Sequence, residues 1–249
     1  MFVSLYSPLW YYYLLDISTF VILIPALLFS LIASAAVNRT YSKYQKVSAA
    51  SGMTGAEVAR KILSDAGVTG VSVVPCRGKL TDNFNPKTGV LSLSEGVFSS
   101  SSVAAIGIAA HEAGHAIQHA KGYLPLMLRT ALYPAVKIGS YLALPLAIVG
   151  ILIEWLSGIG SFGTVLLAVG IIAYSLSSVF SLITLPVELN ASARAKRLTM
   201  QTGALTGEEA SMASKVLSSA ALTYVASLAV SITYLLRFLL ILSRLRRRN

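Results

Sequence analysis

Four apolar stretches decide what this chain can fold into. Residues 14–37, 138–156, 163–186 and 220–242 each supply about the 20 residues an α-helix needs to cross a bilayer. Only 12% of the chain is charged, against about 25% in a soluble domain, and the mean hydropathy is +0.71. The expected fold class is a mainly α integral membrane protein with 3–4 membrane helices and a small α+β part outside the bilayer. The first stretch is too long for a signal-peptide core and no basic run precedes it, which favours a retained anchor. The fourth contains Arg237. It either crosses, lies in the interface, or dips in and returns.

Charge orients these segments. Nine basic residues lie between positions 39 and 121, and Arg194, Lys196, Arg197 and Lys215 follow the third stretch, while residues 154–162 contain no Lys or Arg. Basic loops stay on the cytoplasmic side, so the first two regions are expected there and the short loop outside. The arginine-rich end, Ser-Arg-Leu-Arg-Arg-Arg-Asn, runs against this rule if the fourth stretch crosses. The net charge of +10 is assigned to orientation and anionic headgroups, with the lipid bilayer as partner and no nucleic acid. The single cysteine, Cys76, excludes an internal disulfide.

The polar segments have their own signals. Thr54 and Glu57 have capping-box spacing before an apolar stripe of Val58, Ile62 and Leu63, which predicts a short amphipathic helix. VSVVP reads as a strand, and KLTDNF and VLSLS flank the turn NPKTG as a hairpin. Serines 99–102 offer an N-cap to the next helix, and Thr206 with Glu209 repeats the capping-box spacing. The expected divisions are an anchor at 1–37, a part with the hairpin and motif helix at 38–125, a transmembrane hairpin at 126–186, a helix and its successor at 187–219, and an apolar helix with a basic tail at 220–249.

The second of those helices carries the chemistry. His111-Glu112-Ala113-Gly114-His115 is an H-E-x-x-H motif, and it includes two of the three histidines in the chain. Helical residues four apart lie on one face about 6 Å apart along the axis, so both imidazoles can reach one Zn2+ ion at about 2.0–2.1 Å. Glu112 stands beside them, placed to take a proton from the attacking water. His119 is a further turn along the same helix with no glycine break to fold it back, and it is expected to be a satisfied or interfacial polar residue, not a ligand. Cys76 is expected to be an ordinary cysteine, not an inhibitory thiol.

The third ligand then falls to a carboxylate. Glu57, Asp65, Glu208 and Glu209 sit on predicted helices with local roles, Asp82 and Glu95 are in or near the hairpin, and Asp16 and Glu154 belong to the outer side. Glu188 differs: it ends a long apolar run at the inner membrane boundary, where a carboxylate without a partner is costly. A metal is one partner, and Arg194 on the same helix is the other.

GMTGAEVARKIL, LTDNFNPKTGVLSLS, AAHEAGHAIQ, GYLPLMLRTALYP, FSLITLPVELNASARAK and AALTYVAS together make the chain resemble the YugP-like neutral zinc metallopeptidases of bacterial membranes over most of its length. That family is similar to the HtpX-like gluzincins. The resemblance implies a zincin-like cytoplasmic domain, His111, His115 and Glu188 as zinc ligands, Glu112 as catalytic base, and a protein or peptide as substrate. Ser192 and Asn190 stand where related sequences often carry aspartates, a departure that concerns the residues around the ligands. The implied activity is a membrane-embedded zinc metalloendopeptidase with its site on the cytoplasmic side. Arg194 and Tyr174 are candidates for an oxyanion helper. One alternative is a catalytically silent zinc-binding membrane scaffold, which would have no use for Glu112. Another is a site-2-type intramembrane protease, which would need the motif inside a full span and a later Asn-Pro-x-x-Asp-Gly-like stretch that the chain lacks.

Overall fold

The computed structural model describes residues 17–157 and 162–246. Asp16, residues 158–161 of the expected outer loop, and the last three residues of the basic tail lie outside the described residues. The elements are α1 (Ile17–Tyr44), α2 (Gly55–Asp65), β1 (Ser72–Cys76), β2 (Asn83–Asn85), β3 (Val90–Ser94), α3 (Glu95–Phe98), α4 (Val103–Ala120), α5 (Leu124–Ser157), α6 (Phe162–Gln201) and α7 (Gly207–Arg246). Among the described residues four helices are long and apolar enough to cross a membrane: Phe20–Tyr44, Leu124–Ile153, Val165–Gln201 and Gly207–Leu240.

Two compact units emerge. The first comprises Ile32–Leu128 and Ile183–Tyr224. Its α2 begins as the sequence predicts: Glu57 accepts from the Thr54 backbone N–H at 2.8 Å, and Thr54 Oγ1 accepts from the Glu57 N–H at 3.3 Å. Its stripe of Val58, Ile62 and Leu63 is buried. The sheet has the order β1-β3-β2, with β1 parallel and β2 antiparallel to β3. β2 is shorter than the run KLTDNF suggests. Leu80 takes a left-handed φ of 56°, and the Asp82 carboxylate accepts the Ser94 N–H at 2.8 Å where a ladder bond would otherwise form.

Helix α4 is the centre of this unit. It is rich in small apolar residues and, His111 aside, buried from Val103 to Gln118. Ser102 caps it by accepting from the Ala105 N–H at 3.2 Å. Beyond its end Gly122, at φ 62°, allows the Tyr123 N–H to reach the Gln118 carbonyl at 2.9 Å and its own N–H to reach His119 at 3.0 Å. Its small residues admit close neighbours: a Cβ at Gly107 would stand 2.9 Å from the Ala213 Cβ on α7, and one at Gly114 3.1 Å from the Ala191 carbonyl oxygen on α6. Helix α6 differs from the sequence expectation in running unbroken through Pro186, so Glu188 lies mid-helix instead of opening a new one.

The other unit comprises the described parts of Met1–Leu31, Arg129–Leu182 and Val225–Asn249. Here α5 and α6 approach through small residues, with Gly139 against the Ala173 carbonyl and Gly170 against that of Ala143, as membrane helix pairs do. Ala147, Leu167, Ile171 and Phe238 form its small core, while Ile138, Tyr141, Leu144 and Ile172 are exposed, a surface suited to lipid. The fourth apolar stretch is part of the continuous helix α7.

Candidate metal centre

Two positions one turn apart on α4 and one on α6 meet at a single point. The Nε2 atoms of His111 and His115 are 3.1 Å apart, and Glu188 Oε2 lies 3.1 Å from the first and 3.5 Å from the second. All three side chains are largely buried, Glu188 at 2% exposure. Among the described residues this is the cluster of His, Cys, Asp and Glu whose ligand atoms all lie within 4.8 Å of one another. A tetrahedral cage with arms of about 2.0–2.1 Å has edges of about 3.3–3.4 Å, so the triangle has the dimensions of one face of a zinc site. Two imidazoles and a carboxylate are also the donor chemistry that zinc accepts.

The charge balance suits a cation. Burial alone would lower the pKa of His115, but its hydrogen bond to Glu188 and the charges of Glu112 and Glu188 outweigh burial and raise it. Glu112, also buried, has its pKa pushed up by desolvation, against the pull of His115 and His111. A cavity of about 400 Å³ adjoins the cluster. His111, Glu112 and Glu188 line it together with Asp82, Ser192 and Tyr224, so its wall carries a proton acceptor beside the cage and an entry for a ligand.

A second layer of polar groups backs the imidazoles. His111 Nδ1 faces Ser192 Oγ at 3.2 Å, and His115 Nδ1 faces Gln118 Oε1 at 2.9 Å. Gln118 Nε2 donates to the Val187 carbonyl and to Asn190 Oδ1, both at 2.9 Å, and Arg194 Nε donates to Asn190 Oδ1 at 2.7 Å. Ser192 and Asn190 thus occupy the places around the ligands that their departure from related sequences suggested. Gln118 and Asp82 were not identified from the sequence as parts of the site. The spacing of Gln118, three residues after His115 on one helix, was the available signal.

The remaining candidates lie elsewhere. His119 is exposed, with its ring 5.9 Å from that of Phe84. Cys76 Sγ is 3.4 Å from Thr81 Oγ1. Arg194 is turned to Asn190 and does not line the cavity. Tyr174 stacks with Tyr234 and Phe238 in the other unit. Glu57 and Glu209 are capping residues, and Asp65 pairs with Lys61 at 3.8 Å.

Comparison with known proteins agrees with this chemistry. Residues 19–243 match the family described as "Putative neutral zinc metallopeptidase". The chain is 45% identical over 226 residues, 91% of its own length and 97% of the relative's, to the protein of Bacillus subtilis (strain 168) named "Putative membrane protease YugP". No solved structure gives a significant match. The chain belongs to that zinc metallopeptidase family.

Proposed function

We propose that this member of the zinc metallopeptidase family is a membrane-embedded endopeptidase in which His111, His115 and Glu188 hold one Zn2+ ion and Glu112 is the catalytic base. The observation that carries the reading is the convergence of the three ligand atoms from two helices, with Glu112 on the wall of the same cavity. Bound zinc would supply Lewis acidity for the scissile carbonyl and lower the pKa of a water molecule. The buried Glu112 carboxylate takes the proton from the attacking water and passes it to the leaving amine nitrogen. Its upward-shifted pKa makes it a better proton acceptor than a solvated glutamate. The outer edge of β2 (Asn83–Asn85), which pairs only with β3, offers backbone groups for an extended peptide to add as a strand.

The charge distribution supports a cytoplasmic location for residues 38–125 and 187–219, and with them for the zincin-like site. The basic tail is the exception to that rule, since α7 continues to Arg246. The substrate is a protein or peptide reached from that side, and the bilayer is the second partner. Trapping in native membranes tests the reading. A Glu112→Gln variant is expected to retain an uncleaved polypeptide that the wild-type protein releases as fragments. Cleavage of the same polypeptide by the variant at the wild-type rate would contradict it.

A further inference from the structure

The hydrogen bonds behind His115 have a direction that two one-way groups fix. A backbone carbonyl only accepts, so the Gln118 atom 2.9 Å from the Val187 oxygen must be the amide nitrogen. A guanidinium only donates, so the Asn190 atom 2.7 Å from Arg194 Nε must be the carbonyl oxygen. That oxygen also takes the second Gln118 N–H, at 2.9 Å. Rotating the Gln118 amide by half a turn would set its oxygen against both acceptors. Gln118 is fully buried, so water does not relieve such a clash.

One consequence is left for the remaining atom. Gln118 Oε1 faces His115 Nδ1 at 2.9 Å and can only accept, so Nδ1 must carry the proton. In the neutral imidazole the Nε2 lone pair is then turned toward Glu188 and His111. We infer that Gln118 is a positioning residue that latches His115 as the Nδ1–H tautomer before any metal arrives, with the Val187 carbonyl and the Arg194–Asn190 pair as its two anchors. His111 has no such latch. Its Nδ1 meets the Ser192 hydroxyl at 3.2 Å, a group that rotates and serves as donor or acceptor. The two imidazoles of the cage are therefore prepared differently, one by a fixed amide and one by an adaptable hydroxyl.

This inference rests on the proposed zinc site for its purpose but not for its test. The first measurement is the ¹⁵N spectrum of histidine-labelled, metal-free protein at alkaline pH, with the His115 signals assigned by their loss in His115→Gln. The expected result is one tautomer for His115, with the proton on Nδ1. A proton on Nε2, or an averaged pair of signals, would overturn the inference even if the protein binds zinc normally. The second measurement is zinc affinity by competition with a chelator in Gln118→Glu. A carboxylate would strengthen the bond to Nδ1–H but has no N–H for Val187 or Asn190. The latch account therefore expects zinc binding about 10–100-fold weaker, the usual effect of losing an outer partner. Tighter binding, as a simple carboxylate–histidine pair would give, contradicts it. A wild-type protein that shows the latched tautomer but binds no zinc would instead remove the proposed function and leave the latch standing.

Discussion

Glu188 Oε2 and His111 Nε2 stand 3.1 Å apart although 77 positions separate the two residues in the chain. Their meeting depends on a close crossing of α4 and α6, where Gly114 leaves room for the Ala191 backbone. The motif helix thus carries two ligands of the proposed cage and also the notch that brings the third.

That notch is testable. A methyl group at Gly114 would stand 3.1 Å from the Ala191 oxygen, so α6 would have to give by a few tenths of an ångström. Alanine gains up to about 1 kcal/mol of helix propensity over glycine, and Gly114→Ala is expected to melt close to the wild-type temperature. The larger Gly114→Val should displace Glu188 and cost about 100-fold in activity, as misplacement near 1 Å does. Thermal unfolding beside peptide cleavage makes the comparison. Full activity in the valine variant would show that the crossing does not set the site.

Glu112→Gln removes the proton acceptor and leaves all three proposed ligands. Cleavage should fall by about 10²–10⁴-fold, the usual contribution of a general base, with zinc content unchanged. Elemental analysis and a peptide assay on the same preparation test both halves. Loss of zinc together with activity would assign Glu112 a structural part instead.

Asp82 gives a pH dependence with a definite sign. Desolvation raises its pKa above the usual 3.8, and hydrogen bonds from Ser94 only partly offset this. The native state therefore holds this proton more tightly than the unfolded chain, and the carboxylate's ionisation costs stability as pH rises from about the unfolded value through the folded one. Asp82→Asn keeps an oxygen for the Ser94 N–H and does not ionise. Its melting temperature should gain on the wild type between pH 4 and pH 7. An advantage that shrinks as pH rises would reverse the assigned sign.

The proposed cytoplasmic placement makes Lys87 a useful reporter, because it is exposed in the turn between β2 and β3. In a Cys76→Ser background, Lys87→Cys should resist an impermeant thiol reagent applied to intact cells and react once the membrane is permeabilised. Labelling from outside would place the site on the other face.

The local features were legible because they are written locally. Capping boxes at Thr54 and Thr206, the Ser102 cap, the hairpin and the H-E-x-x-H face each depend on residues a few positions apart. What escaped depends on contacts across the fold. β2 shrinks to three residues because Asp82 turns its side chain onto Ser94. Pro186 looked like a boundary, since proline lacks an N–H, yet α6 passes through it. Gln118 becomes informative only once Val187, Asn190 and Arg194 lie beside it. Arg237 made the fourth stretch ambiguous as sequence, although α7 is continuous there.

The central claim, that Glu188 and not the third histidine completes the cage, is tested most directly by zinc stoichiometry in purified Glu188→Ala and His119→Ala. The account predicts that the first loses its tightly held zinc and that the second keeps the wild-type amount. Zinc retained at wild-type affinity in Glu188→Ala and lost in His119→Ala would contradict it and point to a site built from three histidines.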